Sequence, residues 1–161
     1  MTIRNAAIED LDSIYEVEKQ CFPSQEAASK EEFAERLKFY SDHFWLMFEG
    51  ERLISFVDGF VTDEKDLTDE MYAKANLHNK NGKWQMIFGV NTIPEKRKKG
   101  YASKLLKRAI EDAKKQGRTG VVLTCKEGLI DYYSTLGFEN EGITDKSTHG
   151  NVEWYQMRIV F

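Results

Sequence analysis

At 161 residues, 41% hydrophobic and 31% charged with only 2 Pro, the chain is long enough to bury a full core and has the composition of an ordinary globular fold. A net charge of −4 excludes a general polyanion binder, which selects a basic face, so no nucleic acid is expected as partner. No apolar run approaches the roughly 18 residues of a membrane span, the opening MTIRNAAIEDL has no leader pattern, and the 2 Cys are far apart; a reduced, cytoplasmic protein with one domain over residues 1–161 is expected, with no membrane partner.

The opening MTIRNA reads as a short strand. Ile8 to Gln20 predicts a helix, with Ile8, Leu11, Ile14, Tyr15 and Val17 on one side. Pro23 and Ser24 punctuate the irregular CFPSQEAAS. Ser29 followed by Glu32 is a capping-box signal for a second helix through about Tyr40. HFWLMFEGERLISFVDGFV predicts two strands joined at Gly50. Residues 63–82 are the least regular, with one short helix and a glycine-containing turn expected. WQMIFGVNTI predicts a strand whose internal glycine, Gly89, marks a bulge or a close backbone approach.

The stretch PEKRKKGYASKLLKRAI is the most informative. Ala102, Leu105, Leu106, Ala109, Ile110 and Ala113 recur at three- and four-residue steps, which predicts an amphipathic helix beginning near Gly100 and stopping at Gly117. Cations at a helix N-terminus oppose its dipole by roughly 0.3–1 kcal/mol each. A bound anion, met by free backbone N–H groups, the dipole and basic side chains, would explain the run Lys96-Arg97-Lys98-Lys99; a solvated basic turn would also fit. TGVVLTC then predicts a buried strand, EGLIDYYSTLG a short helix, and FENEGI and VEWYQMRIVF closing strands. The order, βααββ then βαβα then ββ, suits a single mixed sheet with helices on both faces. The histidines His43, His78 and His149 lack metal-ligand spacing, so no metal is expected. Cys21 and Cys125 read as packed thiols.

The strand, the segment Arg97-Lys98-Lys99-Gly100-Tyr101-Ala102, the helix after it and the later Tyr133-Ser134-Thr135-Leu136-Gly137-Phe138 together resemble the Gcn5-related N-acetyltransferase (GNAT) family, over roughly Gln85–Glu141 and plausibly the whole chain. Further matches along the chain, in CFPSQEAAS, FW with FEGERLISFVDG, LTDEM with LHNKNG, and TCKEGLIDYYSTLGF, are similar to its arylalkylamine (serotonin-acetylating) branch, in a bacterial type. The resemblance implies an α/β fold with a central, mostly antiparallel mixed sheet flanked by helices. It also implies transfer of the acetyl group of acetyl-CoA, as co-substrate, directly to a primary amine. The expected partner is a small-molecule amine of the arylalkylamine kind, with a homodimer possible. A polyamine, a protein N-terminus or lysine, and a non-catalytic CoA-binding sensor remain alternatives; the acidic TDEKDLTDE (Thr62–Glu70) fits the polyamine.

By the same resemblance Arg97, Lys98, Lys99, Gly100, Tyr101, Ala102 and Ser103 would cradle the pyrophosphate, and Val90, Asn91 and Thr92 would pair with the pantetheine arm. Tyr133 would protonate the leaving thiolate, and the Val90 N–H would meet the oxyanion. Vertebrate members of the branch carry a His-x-His pair as proton acceptors, and the aligned positions here are Met86 and Phe88. The base is therefore open. Asp58, a charge within LISFVDGF, is a candidate base or ammonium holder, or else a strand-end carboxylate facing solvent. His78 is a loop residue or a proton relay. Phe22, Phe44, Trp45, Phe56, Phe60 and Trp84 could line an aromatic pocket or fill the core.

Overall fold

The computed structural model describes residues 1–161, the side chain of His149 excepted. Nine strands and five α-helices follow one another as β1 (Thr2–Asn5), α1 (Leu11–Cys21), α2 (Lys30–Tyr40), β2 (Phe44–Glu49), β3 (Arg52–Asp58), β4 (Val61–Thr62), α3 (Asp69–Ala73), β5 (Trp84–Ile87), β6 (Gly89–Thr92), α4 (Tyr101–Lys115), β7 (Gly120–Cys125), α5 (Ile130–Thr135), β8 (Glu139–Thr144) and β9 (Trp154–Val160). The architecture is mixed α/β, with antiparallel and mixed sheets flanked by helices.

The local signals act as their chemistry dictates. The Glu32 N–H donates to Ser29 Oγ (3.1 Å) and the Ser29 N–H to Glu32 Oε1 (3.0 Å), a reciprocal cap worth about 1 kcal/mol. The first predicted helix starts as a 3-10 turn at Ile8–Asp10, where Asp10 accepts from the Ala7 N–H, and becomes α-helical only at Leu11. Ile8 is accordingly exposed rather than part of the buried face. The apolar face of α4 buries Leu105, Leu106, Ala109 and Ala113 against the sheet.

The largest departure from the sequence pattern lies at residues 84–92. One predicted strand is two, because the chain changes sheets at Phe88. Before it, β5 pairs in parallel with β7 and antiparallel with β4; after it, β6 pairs antiparallel with β3. The result is a four-stranded sheet, β1-β2-β3-β6, and a five-stranded sheet, β4-β5-β7-β9-β8. The cause is a one-residue mismatch. Val61 pairs with Gln85, but Asp58 pairs with Gly89, while the Phe88 N–H also donates to the Asp58 carbonyl (2.7 Å). Two residues, Phe88 and Gly89, therefore stand opposite one, which is a β-bulge. Gly89 is required there by close approach, since a Cβ would lie 3.0 Å from both Asp58 Oδ1 and Asn91 Nδ2.

The buried Gln85 holds the crossing together. Its Nε2 donates to the carbonyls of Gly59 (2.7 Å) and Met86 (2.8 Å), and its Oε1 lies 2.9 Å from His43 Nδ1. Main-chain groups that the mismatch leaves off the ladder thus keep partners.

Candidate active site

The bulge opens a cleft between β6 and β7, and a cavity of about 440 Å³ fills it. Ile87 to Val90 form one wall and Leu123 to Lys126 another; Tyr133 of α5, Trp154 of β9, Phe22 and Tyr72 complete the apolar lining, while Glu18, Arg36 and Asp58 bring charge into it.

On β6, the Ile93 N–H donates to the Ile54 carbonyl, so the hydrogen-bonded pairs are Ile54/Ile93, Phe56/Asn91 and Asp58/Gly89. The alternation of an antiparallel ladder then turns the main-chain groups of Val90 and Thr92 away from β3, toward the cleft side. The Thr92 carbonyl is already engaged by Cys21 Sγ (3.3 Å) and Arg97 Nε (3.0 Å), which ties the basic turn to the end of β6. Val90 lines the cavity; Asn91 and Thr92 do not. Asn91 is buried, and neither of its amide atoms has a hydrogen-bond partner among the described residues.

None of the residues Arg97–Ser103 lines the cavity. Gly100 caps α4 with φ of 81°, in the left-handed region, and Lys98 shares that region with φ of 63°. No side chain caps this helix and no acidic residue stands in its first turn, in contrast to α2. The first helical bond is made by the Lys104 N–H to the Gly100 carbonyl, leaving the N–H groups of Tyr101, Ala102 and Ser103 ahead of it. Ser103 Oγ lies 2.7 Å from the Tyr132 hydroxyl, joining α4 to α5.

The two adjacent tyrosines separate as their helical positions require. Tyr132 faces α4, whereas Tyr133 lines the cavity, is only 7% exposed and packs against Phe138. Burial above all, then the neighbouring Tyr132, Cys125 and Tyr72, pushes the Tyr133 hydroxyl above the ordinary phenol range, so it holds its proton at neutral pH. Burial likewise pushes the Cys125 thiol up to about 11 and raises Cys21; both free cysteines line the cavity as protonated thiols.

Asp58 does not face solvent. It is 1% exposed, and its Oδ2 accepts from Nη1 of the equally buried Arg36 (3.0 Å). Its Oδ1 has no hydrogen-bond partner among the described residues. Burial pushes the Asp58 carboxyl above its usual range, against the pull of Arg36. The Arg36 guanidinium lies near the rings of Phe33 and Phe88 and donates from Nη2 to the Tyr72 carbonyl (3.0 Å).

Glu18 is a further buried carboxylate in the lining, 6% exposed. Its Oε2 accepts from the Ala28 N–H (2.8 Å). Burial foremost pushes it up to about 7; Asp58 adds to the rise, while the Ala28 N–H, Arg36 and the nearby Asn91 amide oppose it. Sequence reasoning passed over Glu18 and Arg36, although both carried a signal. Glu18 is four residues after Ile14, and Arg36 is three after Phe33 and four before Tyr40, so each charge sits on the buried stripe of its helix.

His78, read from the sequence as a loop residue or a proton relay, lies outside regular structure and is not in the cavity wall; it packs near Tyr40, His43 and Phe60, and its Nδ1 accepts from the Val61 N–H (3.1 Å). Burial and the adjacent His43 push it down to about 4, so it is neutral and structural. Phe44, Trp45, Phe56, Phe60 and Trp84 are core residues on strands or their continuations; Phe22 alone of that group lines the cavity. Met86 is wholly buried, while Phe88 reaches the lining from the bulge. The His149 side chain lies outside the described residues. Among the described residues no helix is long and apolar enough to cross a membrane, and no group of three His, Cys, Asp or Glu side chains could hold a metal ion.

Comparison with known proteins gives the family. No curated protein sequence matches the chain significantly. Among solved structures, the loading GNATL domain of CurA from Lyngbya majuscula superposes with a TM-score of 0.83 at 15% identity, covering 99% of this chain and 96% of that one. The GphF GNAT-like decarboxylase in complex with isobutyryl-CoA gives 0.83 at 17% identity, covering 99% of each chain. The PaiA N-acetyltransferase from Thermoplasma acidophilum, in complex with coenzyme A, gives 0.72 at 18% identity, covering 99% of this chain and 98% of that one. These likenesses establish the shared fold. The model of the acetyltransferase (GNAT) family matches residues 11–138, and the chain is an enzyme of that family.

Proposed function

We propose that this enzyme moves the acetyl group of acetyl-CoA directly to the primary amine of a small, arylalkylamine-like molecule. The observation that carries this reading is the cavity itself, with the Tyr133 hydroxyl in one wall and the carboxylates of Glu18 and Asp58 among apolar rings. Its aromatic lining, Phe22, Tyr72, Phe88 and Trp154, suits an aryl group, and its buried carboxylates suit the ammonium beside it.

Acetyl-CoA supplies an acyl group activated as a thioester. The uncapped start of α4, with left-handed Gly100 and the run Arg97-Lys98-Lys99 before it, fits a diphosphate cradle; the N–H groups of Lys98 to Ser103 and the adjoining cations would hold it. Val90, Asn91 and Thr92 would offer the cleft-facing edge of β6 to the pantetheine arm, with the Thr92 carbonyl already occupied by Cys21 and Arg97. The Val90 N–H would meet the negative charge developing on the acyl oxygen. As the amine nitrogen bonds to the acyl carbon and the carbon–sulfur bond breaks, Tyr133 would give its proton to the departing sulfur, and the surplus proton of the acylated nitrogen would return to the Tyr133 oxygen. Burial keeps the phenol protonated at neutral pH, so the proton is in place when the sulfur departs. Asp58, fixed by Arg36, would hold the ammonium electrostatically.

The charge of the site argues against decarboxylation of a carboxylated acyl-CoA. Two buried carboxylates against one guanidinium oppose a further anion. The test is acetyl-CoA-dependent thiol release with tyramine and tryptamine, with spermidine, and with a short peptide. Release with the arylalkylamines is expected. Release with only spermidine or the peptide would overturn the acceptor assignment. If no amine responds while acetyl-CoA raises the melting temperature, the protein is a CoA-binding sensor and the catalytic reading fails.

A further inference from the structure

We propose that Glu18, rather than a histidine on β5 or Asp58, accepts the proton of the incoming amine. This rests on the amine-acetylating reading above and names the group that reading leaves open. Three observations carry it.

Position comes first. Glu18 projects from α1 into the same cavity that holds Tyr133 and Val90, and its carboxylate is buried. Oε2 is fixed by the Ala28 N–H (2.8 Å), which orients the carboxylate, and the Asn91 amide lies beside it. The carboxylate is therefore held in place within the cavity that a ligand would enter.

Competition comes second. Asp58 is bonded to Arg36, and an ion-paired carboxylate is a poor proton acceptor because protonation would strand a buried guanidinium. His43 and His78 have their Nδ1 atoms engaged, with Gln85 and with the Val61 N–H, and neither lines the cavity.

Charge balance comes third. The charged groups that line the cavity with Glu18 are Asp58 on β3, Arg36 and Glu32 on α2, Asp69 at the start of α3, and Glu26 with Lys126 in the loops after α1 and β7; Cys21 on its own helix and Asn91 on β6 are uncharged neighbours. Arg36 pairs with Asp58 and Lys126 with Glu26, while Glu18 is a buried carboxylate of the lining with no ion-pair partner among the described residues. An alkylammonium entering beside it supplies that partner. Moving one N–H proton from it to the Glu18 carboxylate leaves a neutral amine with its lone pair free and a neutral carboxylic acid, so no net charge is created in an apolar site. A free alkylamine, with pKa near 10, is neutral in about one molecule in a thousand at pH 7, so this step supplies the reactive form. The elevated affinity of Glu18 for a proton suits the task, since a base near the working pH is the most effective.

The experiment is the pH profile of kcat/KM, by thiol release with the best acceptor, for wild type, Glu18→Gln and Glu18→Asp. Gln keeps an oxygen acceptor for the Ala28 N–H, and a thermal melt checks that each variant folds. Wild type should lose activity as pH falls through about 7. Glu18→Gln should be slower by about a hundredfold or more at pH 7, with the acetyl-CoA Kd unchanged, and its rate should keep climbing toward the pKa of the amine itself. Glu18→Asp should recover part of the rate and restore the ionisation. A folded Glu18→Gln with wild-type rate and profile would overturn the assignment while leaving the acetyltransferase reading intact. A wild type that acetylates no amine would overturn both.

Discussion

Tyr133 shows how position on a short helix separates a reactive residue from its neighbour. Tyr132 bonds to Ser103 on α4, whereas Tyr133 lines the cavity. Removing the Tyr133 hydroxyl removes the proposed proton donor and almost no packing. Tyr133→Phe should therefore lower kcat by more than tenfold and leave the KM for acetyl-CoA within about twofold; steady-state kinetics at saturating amine reads this directly, and an unchanged kcat would remove Tyr133 from the reaction. Tyr133 was legible because its motif fixes its place relative to Gly137. Asp58 was legible as an anomaly, a charge inside an apolar strand, but its burial was not, since the partner that permits it is 22 positions away on α2. Glu18 and Arg36 escape a periodicity drawn from apolar residues alone, because their place on the buried stripe shows only when the charges are mapped onto it as well.

At the level of elements, the start of α4 and the split at Phe88 make opposite lessons. The helix was foreseeable to within a residue, because periodicity, Gly100 and Gly117 are all local signals. The split was not. Trp84 to Ile93 carries no charge and no proline and reads as one strand, and only the pairing partners on either side reveal that β5 belongs to β7 and β6 to β3. The glycine inside the run was the trace of it. Gly100 permits a test of what the helix start is for. A Cβ there meets nothing within 4 Å, so the cost of Gly100→Ala to the free protein comes from φ alone, about 1 kcal/mol. If the loop cradles a diphosphate, the same methyl should also weaken acetyl-CoA binding by about tenfold, beyond any effect on folding. Calorimetric titration beside a thermal melt separates the two; lost stability with unchanged affinity would place the anion elsewhere.

Across the whole molecule, buried ionisable groups should make stability depend on pH in opposing senses. His78, pushed down to about 4, takes up its proton more readily when unfolded; its contribution is present above the unfolded value near 6.5 and is lost as pH falls toward 4. Glu18, pushed up to about 7, takes up its proton more readily when folded, so the native state is penalised above pH 7 and relieved as pH falls toward 4.5. The two trends overlap and oppose. Glu18→Gln removes one of them without touching the other. Its melting temperature relative to wild type should be higher by several degrees at pH 8 than at pH 5. A difference that does not vary with pH would mean that the Glu18 charge is not buried at a cost. The bulge carries a consequence of another kind. What keeps β6 off β7 is not a wedge of bulky side chains but a count, two residues facing one. Side chains along the crossing are therefore free to diverge among related sequences, and with them the acceptor. A gain or loss of a single residue at the crossing itself, between Ile87 and Val90, is a different event, because it re-phases β6 against β3 and closes the seat. Drift by substitution retunes such an enzyme, whereas drift by insertion or deletion at that point abolishes it.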